Sequence, residues 1–199
     1  MKVIGLTGGI GTGKSTVAGF LRELGAAYMD LDRTGHEVYR QGTAAYKQLI
    51  LAFGNGILDD SRKIDRAKLG AIVFNDRKAL QKLNGIIHPA IDAVVKERLA
   101  GFKKAGVKVA VMEAAAMLES ERTWLVDEVW ITMAPVTAVL ERLRKRSGYS
   151  EEEALSRICS QMSDEERRRR ADVIIETDCS LEELRQRVAR EWEKLSQRL

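Results

Sequence analysis

The run Gly8-Gly9-Ile10-Gly11-Thr12-Gly13-Lys14-Ser15 constrains this chain more than any other stretch. It satisfies G-x-x-x-x-G-K-[ST] and stands between two different periodicities. Residues 3–6 are a short apolar run, the pattern of a buried strand. Val17, Phe20, Leu21 and Leu24 then follow at the i, i+3, i+4, i+7 spacing of a one-sided helix. At such a junction glycines allow backbone torsions that side chains forbid, so successive N–H groups converge on one anion, helped by the positive end of the helix dipole. The stretch reads as a cradle for phosphate. Lys14 would reach the β- and γ-phosphates, and the Ser15 hydroxyl would complete the shell of a Mg2+ otherwise held by phosphate oxygens and water. A glycine-rich turn with an exposed lysine is the alternative, and it has no need of this strand–helix setting.

The rest of the chain continues the alternation. Further strand patterns fall at 26–29, 107–112, 129–132 and 173–175, with helical periodicity between them. Ser150-x-x-Glu153 and Ser180-x-x-Glu183 have the form of capping boxes, the second ahead of a helix with Leu184, Val188, Trp192 and Leu195 on one face. Residues 32–100 differ: apolar positions recur at helical spacing, broken by Gly42, Gly54-Asn55-Gly56, Gly85 and Pro89, with no strand pattern. The expected architecture is α/β: a five-stranded parallel sheet covered on both faces, ligands at the carboxyl ends of its strands, and a helical insertion. With 199 residues the chain could bury roughly 70% of its extended surface around one core. A single domain spanning 1–199 is therefore expected.

Composition narrows the function. Charged residues make up 31% of the chain but leave a net charge of only +4, too diluted for a polycationic nucleic-acid binder. Two cysteines, Cys159 and Cys179, and two histidines, His36 and His88, exclude a disulfide framework or a structural zinc site. No apolar run approaches about 18 residues, and the opening residues lack a signal-peptide pattern. A monomeric cytoplasmic protein with no membrane partner is the expectation. None of the asparagines precedes a lysine, which removes the guanine-reading Asn-Lys-x-Asp. The strand at 107–112 ends in Glu113-Ala114 rather than the Asp-Glu of motor ATPases. A small-molecule kinase remains, and it needs an acceptor site, a lid and further cations.

Asp30 and Asp32 stand at the end of the second strand pattern. If the chain stays extended there, both carboxylates face one side. Asp32 is the candidate base, with a helix cap as the alternative for either residue. Arg142 and Arg146 are i, i+4 in a helix that Pro135 would open, so their guanidiniums share a face suited to clamping phosphate. With Arg144, Lys145 and Arg157 nearby and Gly148 as a break, 142–170 reads as a hinged basic lid. The run from Arg167 to Arg170 follows Asp164-Glu165-Glu166 and carries no aromatics, so it reads chiefly as surface charge.

Together these residues resemble the dephospho-coenzyme A kinase family. The resemblance runs from Leu6-Thr7-Gly8 through Ser15-Thr16, Asp30-Leu31-Asp32, Asp65-Arg66-x-x-Leu69 and Leu83-Asn84-x-Ile86-Ile87-His88-Pro89 to Arg142-x-x-x-Arg146, Arg157-x-x-x-Gln161 and Ala171-Asp172. It implies a P-loop kinase three-layer sandwich, with 32–100 as acceptor-binding region and 142–170 as lid. It also implies transfer of the ATP γ-phosphate to the ribose 3′-hydroxyl of dephospho-CoA, with Mg2+. Lys14, Asp32 and Arg142 match catalytic positions. Gly9, Gly11, Thr12, Gly13, Lys14, Ser15, Thr16, Arg142 and Arg146 match the ATP site, and Asp32, Arg66 and His88 the acceptor site. A P-loop kinase for another nucleoside-type acceptor is the alternative. Three departures from the family pattern stand out: Glu113-Ala114-Ala115-Ala116-Met117-Leu118-Glu119 lacks the usual proline, Thr177 replaces the usual asparagine after the last strand, and the usual Asp-Ala-Asp reads Asp30-Leu31-Asp32.

Overall fold

The computed structural model describes residues 1–199 apart from Asn75 and Glu121, with Arg122 described by its backbone alone. They form two compact units, 1–30 with 102–199, and 31–101.

The first unit is built on strands β1 (Lys2–Gly8), β2 (Ala27–Asp30), β3 (Val109–Glu113), β4 (Glu128–Met133) and β5 (Val173–Glu176), in the order β2-β3-β1-β4-β5. All four pairings are parallel, so every carboxyl end emerges along the same edge. The central strands are buried on both faces. On one side Ile4, Leu6 and Trp130 pack with Val17 and Leu21 of α1 (Lys14–Glu23) and with Leu184, Val188 and Leu195 of α9 (Leu181–Ser196). On the other, Val129, Ile131 and Met133 pack with Leu118, Met162 and Ala171. Period-2 alternation in β4 thus feeds two apolar layers. Paired aspartates fasten strand entrances: Asp127 accepts from the Val3 N–H at 2.7 Å, and Asp172 from the Val129 N–H at 2.7 Å. Beyond Pro135, α6 (Val136–Ser147) ends on left-handed Gly148. There follow α7 (Glu151–Cys159) and α8 (Asp164–Arg169), each opened by a serine cap; both expected capping boxes are formed.

The second unit comprises α2 (Leu31–Glu37), α3 (Ala44–Phe53), a 3-10 turn (Asn55–Ile57), α4 (Arg66–Phe74) and most of α5 (Arg77–Lys104). Its core gathers Tyr46, Leu49, Ile57, Leu58, Leu69 and Val73, flanked by Leu83, Ile86 and Ile87. Asp65 accepts from the N–H groups of Ala67 and Lys68, which fixes the start of α4 and puts Arg66 at its first position. Arg98 of α5 ties down α2, donating to Thr34 Oγ1 at 3.1 Å and Glu37 Oε2 at 2.9 Å. Three expectations change. The strand expected from 107 begins at Val109, because α5 runs to Lys104 and turns at Gly106, where φ is +76°. Gly85 and Pro89 do not interrupt α5: Ile86, Ile87, Ile91 and Val95 keep one apolar stripe across them, and its burial outweighs one missing backbone hydrogen bond. The chain also stops being extended at Leu31, so the two aspartates do not share a strand face. Leu31, Thr34 and Val38 are buried at i, i+3, i+7, which turns Asp32 into the first turn of α2.

Candidate active site

The phosphate loop leaves β1 against β4. At Gly8 a Cβ would come within 2.4 Å of Thr132 Oγ1, so only glycine lets the two strand ends approach this closely. Gly13, with φ +86°, is the N-cap of α1 and turns the last amides of the loop toward the helix axis. Lys14 folds back over the loop, donating to the carbonyls of Gly8 at 2.8 Å and Gly9 at 3.0 Å. Thr12 points inward: its hydroxyl bonds the Gly9 carbonyl and Thr132 Oγ1, each at 2.8 Å, and its N–H also returns to the Gly9 carbonyl at 3.4 Å, so this residue braces the loop.

Arg142 joins the loop to the end of β5. Its guanidinium donates to the Thr177 carbonyl at 2.7 Å, to Thr177 Oγ1 at 3.0 Å and to the Gly11 carbonyl at 3.3 Å. Thr177 is buried and in turn donates to the Thr12 carbonyl at 2.8 Å. The departure from asparagine therefore supplies a brace for the loop backbone. A cavity of about 670 Å³ opens beside this assembly, lined by Gly11, Gly13, Lys14, Ser15, Thr16, Arg142 and Arg146, all proposed from sequence, together with Gln161 and Cys179.

Sequence reasoning passed over one carboxylate. Glu113 ends β3 beside β1, buried, and accepts from Ser15 Oγ at 3.2 Å and from the Tyr28 hydroxyl at 2.7 Å; Asp30 is its register partner on β2. Burial first, and then the Glu113 carboxylate, push the Tyr28 phenol above its ordinary value, so it stays a neutral donor. An acidic residue at the carboxyl end of a strand flanking the loop was the available signal. Hydroxyl and carboxylate oxygens together form a hard-donor set that fits Mg2+.

Arg167 corrects another expectation. It is 3% exposed, not surface charge, and pairs with Glu119 at 3.1 Å; Arg168 and Arg170 do lie in exposed ion pairs. The remaining proposed residues belong to the helical unit. Asp32 is exposed on α2, Arg66 exposed at the start of α4, and His88 half-buried on α5.

The dephospho-CoA kinase family model matches residues 2–183. The chain is 42% identical to a dephospho-CoA kinase of Geobacillus kaustophilus over 195 residues, covering 96% of this chain and 97% of that one. Among solved structures it is similar to a Thermus thermophilus protein, with TM-score 0.83 and 29% identity over 100% of this chain and 97% of that one. It is also similar to the Campylobacter jejuni dephospho-CoA kinase, with TM-score 0.73 and 28% identity over 99% and 98%. A phosphate loop on a five-stranded parallel sheet, matched along nearly its full length, makes this chain a member of the dephospho-CoA kinase family.

Proposed function

We propose that this ATP-dependent kinase transfers the γ-phosphate of ATP to the ribose 3′-hydroxyl of dephospho-CoA, giving CoA and ADP. The observation that carries the reading is the Lys14 ammonium held over Gly8 and Gly9 in a glycine-shaped loop, with Arg142 at the rim of the adjoining cavity. Phosphoryl transfer through a loose transition state asks little covalent chemistry of the protein, and most of the work is positioning and charge neutralisation. Gly9, Gly11, Thr12, Gly13, Ser15 and Thr16 form the triphosphate site, with loop amides as its main donors. Lys14 neutralises the bridging region between the β- and γ-phosphates. Arg142 and Arg146, one helical turn apart on α6, orient the nucleotide and stabilise charge on the equatorial oxygens. Residues 142–170 act as the lid that excludes water.

Asp32 takes the proton from the acceptor hydroxyl as the bond to phosphorus forms, and Arg66 and His88 bind the acceptor within residues 32–100. Support for these three roles is the match of Asp30-Leu31-Asp32, Asp65-Arg66 and His88-Pro89 to the family pattern. Ser15 would hold Mg2+, with Glu113 accepting from its water shell. The ion would supply charge neutralisation between the β- and γ-phosphates. The test is ADP release measured with and without dephospho-CoA, followed by a comparison of kcat/KM across nucleosides and nucleoside monophosphates at fixed ATP. Release that is independent of dephospho-CoA, or faster with another nucleoside, overturns the assignment.

A further inference from the structure

Arg167 is a buried charged side chain of the sheet unit to which the phosphoryl-transfer roles above give no part. Its guanidinium is almost wholly removed from water, yet Nε has no hydrogen-bond partner among the described residues. Nη2 donates to Glu119 Oε1 at 3.1 Å and Nη1 to Asp164 Oδ1 at 3.4 Å. A half-satisfied buried ion pair gives a fold little or no net stability, and an apolar side chain of similar volume would commonly serve as well. Its position points to what it does. A Cβ on Gly9 would lie 3.3 Å from Arg167 Nη1 and 3.6 Å from Gln161 Oε1, so both side chains lie against the first turn of the phosphate loop. Gln161 accepts from the Ile10 N–H at 2.9 Å, and the Met162 N–H points to the same Glu119 oxygen at 3.4 Å. Residues 161–167, leading from α7 into α8, are thus clasped to Gly9 and Ile10 at one end and to Glu119 at the other. Gly9 is also where the Lys14 ammonium rests, so the clasped part of the loop is the part beside the group that meets the β- and γ-phosphates.

We propose that Arg167 is a positioning residue for phosphoryl transfer: anchored on Glu119, it holds Gln161 against Ile10 and so fixes the γ-phosphate end of the loop. It acts through Gln161 and the loop backbone. A misplacement of about 1 Å at that end lowers turnover without removing the amides and cations that bind the nucleotide. The inference rests on the kinase reading above, and wild-type enzyme assayed with ATP and dephospho-CoA tests that reading first; absence of wild-type transfer would sink the function, whatever the variants do.

The deciding variant is the double substitution Arg167→Met with Glu119→Gln, which removes the buried charge together with its partner. We expect a melting temperature at or above wild type, kcat lowered about tenfold, and KM for both substrates changed less than threefold. Gln161→Met, which leaves the ion pair intact, is expected to lower kcat to a similar degree and serves equally if the double variant fails to fold. A purely structural Arg167 predicts that recovered melting temperature brings recovered kcat. The proposal is overturned by a stable double variant with kcat within twofold of wild type, by a rise in KM for ATP alone, or by wild-type turnover in Gln161→Met.

Discussion

The sheet unit and the helical unit secure their functional residues in different ways. In the sheet unit the phosphate-side groups are main-chain amides and short side chains at strand ends, each fixed by parallel register and braced by Thr12, Thr177 and Arg142. In the helical unit the proposed acceptor residues Asp32, Arg66 and His88 come from three helices, and helix packing around Leu49 and the Arg98–Glu37 pair sets their positions. The contrast teaches that a site for a generic group, the triphosphate, can be made from backbone. Recognition of a particular acceptor has to be carried by side chains on elements free to vary.

The largest effects should separate the two units cleanly. Lys14→Ala is expected to lower kcat/KM on the order of 1,000-fold, with nucleotide affinity and turnover lost together, whereas Asp32→Asn should lower kcat by roughly 100-fold with ATP affinity nearly intact. Equilibrium binding of a fluorescent ATP analogue beside steady-state kinetics checks both, and wild-type turnover in Asp32→Asn would remove that residue from the chemistry. Next, Leu49→Ala should destabilise the helical unit by about 3 kcal/mol and raise KM for dephospho-CoA while KM for ATP moves less than twofold. An equal rise in both constants would break the comparison. Within the sheet unit, Tyr28→Phe leaves Glu113 without its 2.7 Å donor, and the Mg2+ concentration for half-maximal quenching of bound nucleotide fluorescence should rise about tenfold.

The smallest expected effect is electrostatic. The hydrogen bond from Arg98 above all, and then Arg33, hold the Glu37 carboxyl below its ordinary value of 4.5. The folded form therefore binds this proton less readily than the unfolded chain. The stabilisation is fully present above about pH 4.5 and is lost as pH falls through the lowered value. Because Arg98 is 41% exposed, solvent screening limits it to about 0.5 kcal/mol. Urea midpoints should show Glu37→Gln weaker than wild type at pH 7, with the difference shrinking as pH falls below about 4.5.

The alternation of strands and helices was legible because burial on both faces writes continuous apolar runs, and the loop because its chemistry permits few sequences. The conformation at Asp32 was not legible: an extended reading of Asp30-Leu31-Asp32 ignored that Leu31, Thr34 and Val38 bury at helical spacing. Glu113 and Arg167 were harder for the same physical reason. A charged residue carries no mark of burial in sequence, whether it ends an apolar run like Glu113 or sits in a charged run like Arg167, and only the fold shows that Tyr28 and Ser15 meet the one and Glu119 the other. Pro89 looked like a stop because local propensity was weighed without the apolar stripe that runs across it.

That proline also shows how tolerant a helix can be when the omission is well placed. The 28 residues of α5 span about 42 Å, and the carbonyl deprived of its rung belongs to Gly85, on the same outward side as Pro89. Solvent can satisfy that oxygen, so the helix runs on through the gap. Shifted two places, to the buried Ile91, the same ring would silence an amide on the apolar side, where no water can make good the loss.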